Sequence, residues 1–296
     1  MPDLVIIEAA LNGGRSRQEH PGVPLAADEL AAEARRCAEA GASVVHVHAR
    51  SRTGGWTASP VAYARIVRAI RAAAPAVLIS ITSLRPQGVP VARIQHLLEQ
   101  LPPDARPDLI SVNLGHITTW EARPGRNGRL TRHFPNSYDD IAQLLETCRA
   151  KGVTPELGLM DFGFISNAVA LRDDGVLPAE PWFLLELDSP AFGAGTQVAP
   201  ATDATYAALS ATLREQFPGA PWAAHGAGVA TYAVVQRALE EGAHVRVGFE
   251  DAVEMPDGSL ARSNADQVAW TVKRATALGR TAATAEDARR IIAGSR

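Results

Sequence analysis

Eight short apolar runs rich in β-branched residues alternate along the whole chain with longer stretches of helical periodicity, and this alternation sets the tightest limit on the fold. The runs are Leu4–Ala10, Ser43–His48, Val77–Thr82, Leu109–Asn113, Thr154–Met160, Trp182–Leu187, Trp222–His225 and Val245–Phe249. Helical patterns fall near 26–40, 60–74, 90–101, 138–151, 163–172, 203–216, 229–241 and 264–278. Punctuation agrees: Gly41 ends the first helix, and Ser59-Pro60 supplies an N-cap followed by proline at the first helical position. Thr284 and Asp287 have capping-box spacing for a last helix, Ala285–Ile292. Strand–helix repetition of this kind demands a parallel sheet covered by helices. A doubly wound open sheet is the alternative, but Asn12-Gly13-Gly14 lacks the G-x-G-x-x-G spacing of its first turn. The expectation is an α/β fold, one (β/α)8 TIM barrel over residues 1–296 with a C-terminal extra helix. The stretch Gly115–Tyr138 reads as irregular, an active-site lid or an oligomer contact.

Composition excludes several classes. The 296 residues carry 29 basic and 32 acidic side chains, so no positive excess exists to neutralise nucleic-acid phosphates. No apolar run reaches the roughly 18–20 residues a membrane helix needs. The acidic N-terminus does not read as a signal peptide. Cys37 and Cys148 are too few for a disulfide framework, and a cytoplasmic enzyme is expected.

Catalytic groups of a barrel stand at the C-terminal ends of its strands. His46 and His48 share one face of the second strand, spaced to converge on one metal ion. On the last strand Arg246, Gly248 and Glu250 face inward, where buried charge is costly unless it binds something. Glu250 is a third metal ligand beside the two histidines, and Gly248 is read as leaving room for a ligand. Asp251 is a candidate base beside Arg246. Hydrogen-bonded core histidines and a structural ion pair from Arg246 to Asp251 or Glu250 remain the plainer alternatives. Thr82, Ser111, Asn113 and Glu156 gather at other strand ends, and with Asn12 and Ser83 they make the polar lining for a substrate.

These residues together resemble the β-keto acid cleavage enzymes, whose founding activity is 3-keto-5-aminohexanoate cleavage. The resemblance runs from P-x-x-x-x-E-L-A (24–31) and H-V-H-A-R (46–50) through P-E (155–156) and G-x-G (226–228). It continues in R-V-G-F-E-D (246–251), S-N-A (263–265) and A-T-A-E-D-A-R (283–289). It implies a homo-oligomeric barrel, a tetramer, with Zn2+ on His46, His48 and Glu250. It also implies a Claisen-type exchange of a β-keto acid with acetyl-CoA that gives acetoacetate and a new acyl-CoA. The implied acid–base pair is Arg246 and Asp251, with Thr82 and Glu156 near the reacting carbons. Neither nucleic acid nor membrane is a partner.

Departures from the family pattern are as informative. Ser51 replaces the acid after Arg50, Val229 stands where an arginine is common, and Gly158 replaces the second acid of P-E-x-E, leaving Glu156 alone. Arg15 occupies a loop position that is acidic in aminohexanoate-cleaving relatives, so a substrate with an anionic or neutral polar distal end is expected. A metal-dependent barrel aldolase or hydrolase without coenzyme A, or a non-catalytic barrel, would share the fold. Dependence on coenzyme A, and bound metal, separate them.

Overall fold

The computed structural model describes residues 3–51, 53–86, 88–122, 129–188 and 198–294. In chain order its elements begin with β1 (Leu4–Val5), β2 (Ile7–Ala10), α1 (Ala27–Ala40), β3 (Val44–Val47) and α2 (Pro60–Ala73). Next come β4 (Leu78–Ile81), α3 (Ala92–Gln100), β5 (Leu109–Asn113), β6 (Ile117–Ala122), β7 (Arg129–Phe134) and α4 (Tyr138–Lys151). The remainder are β8 (Thr154–Leu159), α5 (Phe162–Asp173), β9 (Trp182–Glu186), α6 (Asp203–Gln216), β10 (Trp222–His225), α7 (Ala230–Glu240), β11 (His244–Val247), α8 (Asn264–Ala277), β12 (Thr281–Ala282) and α9 (Ala285–Ile292). Strands β2, β3, β4, β5, β8, β9, β10 and β11 close into a barrel, and every neighbouring pair is parallel. The expected (β/α)8 fold is present.

Local chemistry explains the element boundaries. Gly41 adopts the left-handed conformation that closes α1, with φ 112°. Ser59 caps α2 by accepting from the Ala62 amide, and Thr284 and Asp287 form the capping box of α9. The first run divides: Leu4–Val5 pairs with β12 outside the barrel, and only Ile7–Ala10 enters it. The stretch read as irregular holds an antiparallel hairpin, Ile117–Ala122 against Arg129–Phe134. Its Phe134 ring packs on Trp56, whose indole in turn packs on His48, so the hairpin is linked to the barrel mouth.

Two cores use the two strand faces. Outward residues such as Val45, Val47, Ile79, Ile81, Val245 and Val247 pack against the helices. Inward residues at the strand starts, Ile6, Val44, Leu78, Leu109, Trp182, Leu184 and Ala223, form a separate apolar floor sealed by Ala288 and Ile292 of α9. Cys37 and Cys148 lie in the outer core, where burial pushes the Cys148 thiol up to about 12 and Cys37 in the same direction, so both are inert packing groups.

The floor contains one titratable anchor. His244 Nδ1 accepts from the Ile6 amide at 3.0 Å, and its ring packs on Trp182. Burial, helped by Arg280, depresses the His244 pKa to about 3. The folded protein therefore refuses a proton that the unfolded chain accepts below about pH 6.5, and stability falls as pH drops through that window. Replacing His244 by Asn keeps an acceptor for Ile6 but removes the titration. Urea unfolding at pH 6.5 and pH 5 should show the wild type losing about 2 kcal/mol more than His244→Asn, at about 1.4 kcal/mol per pH unit.

Candidate active site

Above the apolar floor the inward positions turn polar. On β3 the sequence steps from Val44 to His46 and His48, and on β4 from Leu78 to Ser80 and Thr82. His46 Nε2 lies 3.8 Å and His48 Nε2 3.1 Å from the two oxygens of Glu250. All three side chains are buried, and their ligand atoms fall within 4.8 Å of one another. The three residues expected to share an ion are thus brought together from β3 and the end of β11.

Their supports fix which atoms face the centre. Ser80 donates its hydroxyl proton to Glu156 Oε2 at 3.3 Å, so it accepts from His46 Nδ1–H at 2.9 Å. That network assigns the tautomer and leaves the His46 Nε2 lone pair toward Glu250. Burial drives the His46 pKa well below its ordinary value; the Glu250 charge opposes this and the Arg246 charge adds to it. Asn12 clasps the His48 peptide through two 2.9 Å hydrogen bonds, donating to its carbonyl and accepting from its amide. Glu250 is seated against Gly13, where a Cβ would lie 2.3 Å from its Cγ. Asn264, of the S-N-A motif, accepts from the Phe249 amide at 2.7 Å and donates to the Leu11 carbonyl, pinning the segment before Glu250.

Arg246 organises the remaining charge. Its Nε and Nη2 donate to the two Asp251 oxygens at 3.1 and 3.0 Å, and Nη2 also lies 3.0 Å from Glu250. Burial opposes its charge, but Asp251 and Glu250 outweigh that and raise its pKa. For Glu250 burial is likewise overcome, chiefly by His48 and Arg246, so its carboxyl is held well below the usual range. Glu8, an inward residue that the sequence reading passed over, sits beside Glu156 and His46. Burial and the Glu156 charge raise its pKa well above the carboxylate range, which disfavours the charged form that a cation would need. That favours His46, His48 and Glu250 over the other cluster of the described residues, Glu8, His46 and Glu156.

The remaining expected residues sort by what they touch. Glu156 accepts from Trp182 Nε1 at 3.0 Å and from Ser80, which places it behind His46. Thr82 Oγ1 accepts from the Leu84 amide, and Ser111 Oγ accepts from the Ser83 amide, so both hydroxyls keep a proton to donate. Asn113 ends β5 on the same inward face as Ser111. Arg15 reaches the Phe249, Glu250 and Asp251 carbonyls with Nε and Nη2, and pairs with Glu19 through Nη1 at 3.0 Å. Arg50 donates to the Gly13 and Arg15 carbonyls. Met160 lies past the end of β8 and packs in the outer core. Gly248 does not make room for a ligand: its φ is 146°, and a Cβ would lie 2.2 Å from the Ala10 carbonyl oxygen, so the close approach of β2 requires it.

Two groups stand out beyond those expected. They are His225 and Glu186. His225 Nδ1 lies 3.2 Å from Asp251 Oδ1, and its Nε2 lies 3.6 Å from Glu186 Oε2. Burial opposes the imidazolium, but Asp251 first and then Glu186 raise its pKa against Arg246. An acid closing the apolar run W-F-L-L-E was the available signal for Glu186. His20 packs on Phe249 and bonds the Ala261 carbonyl, a structural role.

The family model described as beta-keto acid cleavage enzyme matches residues 4–293. A 3-keto-5-aminohexanoate cleavage enzyme of Fusobacterium nucleatum is 30% identical over 294 residues, 99% of this chain and 98% of its own length. A 3-oxoadipate:acetyl-CoA acetyltransferase of Cupriavidus necator is 28% identical over 294 residues, 99% of this chain and 95% of its own. The apo structure of ObcA superposes with a TM-score of 0.72 at 18% identity, covering 92% of this chain; the chain spans 65% of ObcA, and the likeness speaks for the fold. No helix among the described residues is long and apolar enough to cross a membrane.

The close approach at Gly248 is testable. Gly248→Ala combines an unfavourable φ with a backbone clash and should cost about 3 kcal/mol or more in urea unfolding. Gly54→Ala, at φ 86° with nothing within 4 Å of the added carbon, should cost about 1 kcal/mol.

Proposed function

Because the chain belongs to the beta-keto acid cleavage enzyme family, we propose that it cleaves a β-keto acid by exchange with acetyl-CoA, yielding acetoacetate and a new acyl-CoA. The convergence of His46, His48 and Glu250 at the mouth of a closed barrel carries this reading. The donor set fits a divalent transition ion such as zinc: two imidazoles and a carboxylate, with His48 Nε2 and Glu250 Oε2 buried and lacking a hydrogen-bond partner among the described residues. Such an ion would supply Lewis acidity to the carboxylate and keto oxygens of the substrate.

The protein's own groups perform the proton and charge chemistry. Asp251, fixed by Arg246, removes a proton from the carbon between the two carbonyl groups. That carbon then bonds to the acetyl carbonyl of acetyl-CoA, and coenzyme A thiolate leaves. The thiolate attacks the former keto carbon, the adjacent carbon–carbon bond breaks, and acetoacetate departs after regaining the proton. Thr82, whose hydroxyl proton is uncommitted, and Asn113 donate to oxyanions as they form. Glu156 acts from behind, fixing His46 through Ser80.

Arg15 sets the distal specificity. Its Glu19 partner is half exposed, and a surface pair is worth about 0–1 kcal/mol, so a substrate carboxylate or hydroxyl can replace Glu19 at little cost. An ammonium group gains nothing there. The acetyltransferase from Cupriavidus necator, named for 3-oxoadipate, supports a dicarboxylate substrate.

Purified protein should contain about one equivalent of divalent transition metal by elemental analysis, and His48→Ala should hold about a tenth of that or less. In a screen of β-keto acids, acetoacetate release should require acetyl-CoA, favour acid-terminated substrates over amino-terminated ones, and fall by about a hundredfold or more in Asp251→Asn. Turnover without coenzyme A would overturn the assignment.

A further inference from the structure

A glycine and a glutamate on adjacent strands share one space. Gly158 on β8 pairs with Leu184 on β9, and Glu186 stands one inward position beyond Leu184. A Cβ built on Gly158 would lie 2.3 Å from Glu186 Oε1 and 2.5 Å from Asn113 Oδ1. The Glu186 carboxylate therefore lies over the bare backbone of Gly158, where a side chain from β8 would otherwise stand. Gly158 is also the position at which the sequence lacks an expected acid.

The Glu186 side chain is nine-tenths buried, and its Oε1 has no hydrogen-bond partner among the described residues. Its other oxygen faces His225 Nε2, a second buried atom without a hydrogen-bond partner among the described residues, and His225 Nδ1 lies 3.2 Å from Asp251 Oδ1 while hydrogen-bonding the Gly226 carbonyl at 3.1 Å. His225 and Glu186 are register partners at the ends of β10 and β9, so the strands themselves set this alignment. The arrangement is carboxylate, imidazole, carboxylate, ending on the residue assigned as base.

We propose that Glu186 is a positioning residue that occupies, from β9, the space vacated at Gly158 and holds Asp251 in its working orientation through His225. The role as positioner rests on the function assigned above; the shared space does not.

Two measurements separate these parts. In thermal unfolding, Gly158→Glu should lower Tm, because its side chain meets the Glu186 carboxylate, and the swap Gly158→Glu/Glu186→Gly should recover most of that loss. Additive losses in the swap would overturn the shared space, whatever the enzyme does. In acetoacetate release, Glu186→Gln should lower kcat by about tenfold or more, with KM changed by about twofold or less. Glu186→Gln added to His225→Asn should cost nothing beyond His225→Asn alone. The swap should return kcat to within about fivefold of wild type. Unchanged kcat in Glu186→Gln, or full additivity with His225→Asn, would overturn the positioning role while leaving the cleavage reaction standing. A wild type that releases no acetoacetate would remove the cleavage reading and the positioning role with it, and the thermal cycle would still decide the shared space.

Discussion

Charge buried in the upper barrel is the constraint around which the molecule is arranged. Glu8, Glu156, Glu186, Glu250 and Asp251 are buried there, against the Arg246 guanidinium and the imidazoles of His46, His48 and His225. Left unpaired, each ion would cost several kcal/mol. The protein answers in three ways. Arg246 takes two carboxylates at once, burial and the Glu156 charge push the Glu8 pKa up, and burial pushes the His46 pKa down. What remains is a concentration of acceptor atoms around His48 Nε2 and Glu250 Oε2 that hydrogen bonds do not satisfy. A divalent cation bound there, as proposed, would complete this balance and make the chemistry and the stability of the site one problem.

The strand–helix alternation made the barrel legible, and the two-residue period of a strand made half of the site legible. His46 with His48, and Arg246 with Glu250, could be placed inside because each pair recurs at i and i+2 or i+4 among outward valines. Glu8 and Glu186 were harder to see. Each is a single acid in an otherwise apolar run, and no second polar residue in its own strand sets the parity. Their partners, Arg246, Glu156 and His225, come from other strands through barrel closure. The hairpin in 117–134 was hidden for a related reason. A two-stranded ribbon gains its stability from cross-strand pairs and from what it packs on, here Trp56, and neither leaves a strong local periodicity. Gly248 carried a true signal with the wrong cause: a missing side chain was evident, but whether backbone or ligand fills the gap depends on β2, more than 230 residues away in sequence.

The same strands carry floor and site, offset by two residues: Val44 then His46, Leu78 then Ser80, Leu109 then Ser111, His244 then Arg246. A slip of one residue in any strand would turn its apolar floor residue outward and its charged residue into the helix layer. The apolar floor therefore does more than stabilise. By holding register at the strand starts, with α9 closing it from below, it fixes the height at which each polar side chain enters the mouth. Residues at the floor can then tolerate volume-conserving change while those two positions along cannot. This separation lets one rigid frame accept changes in mouth residues without altering where His46, His48 and Glu250 stand.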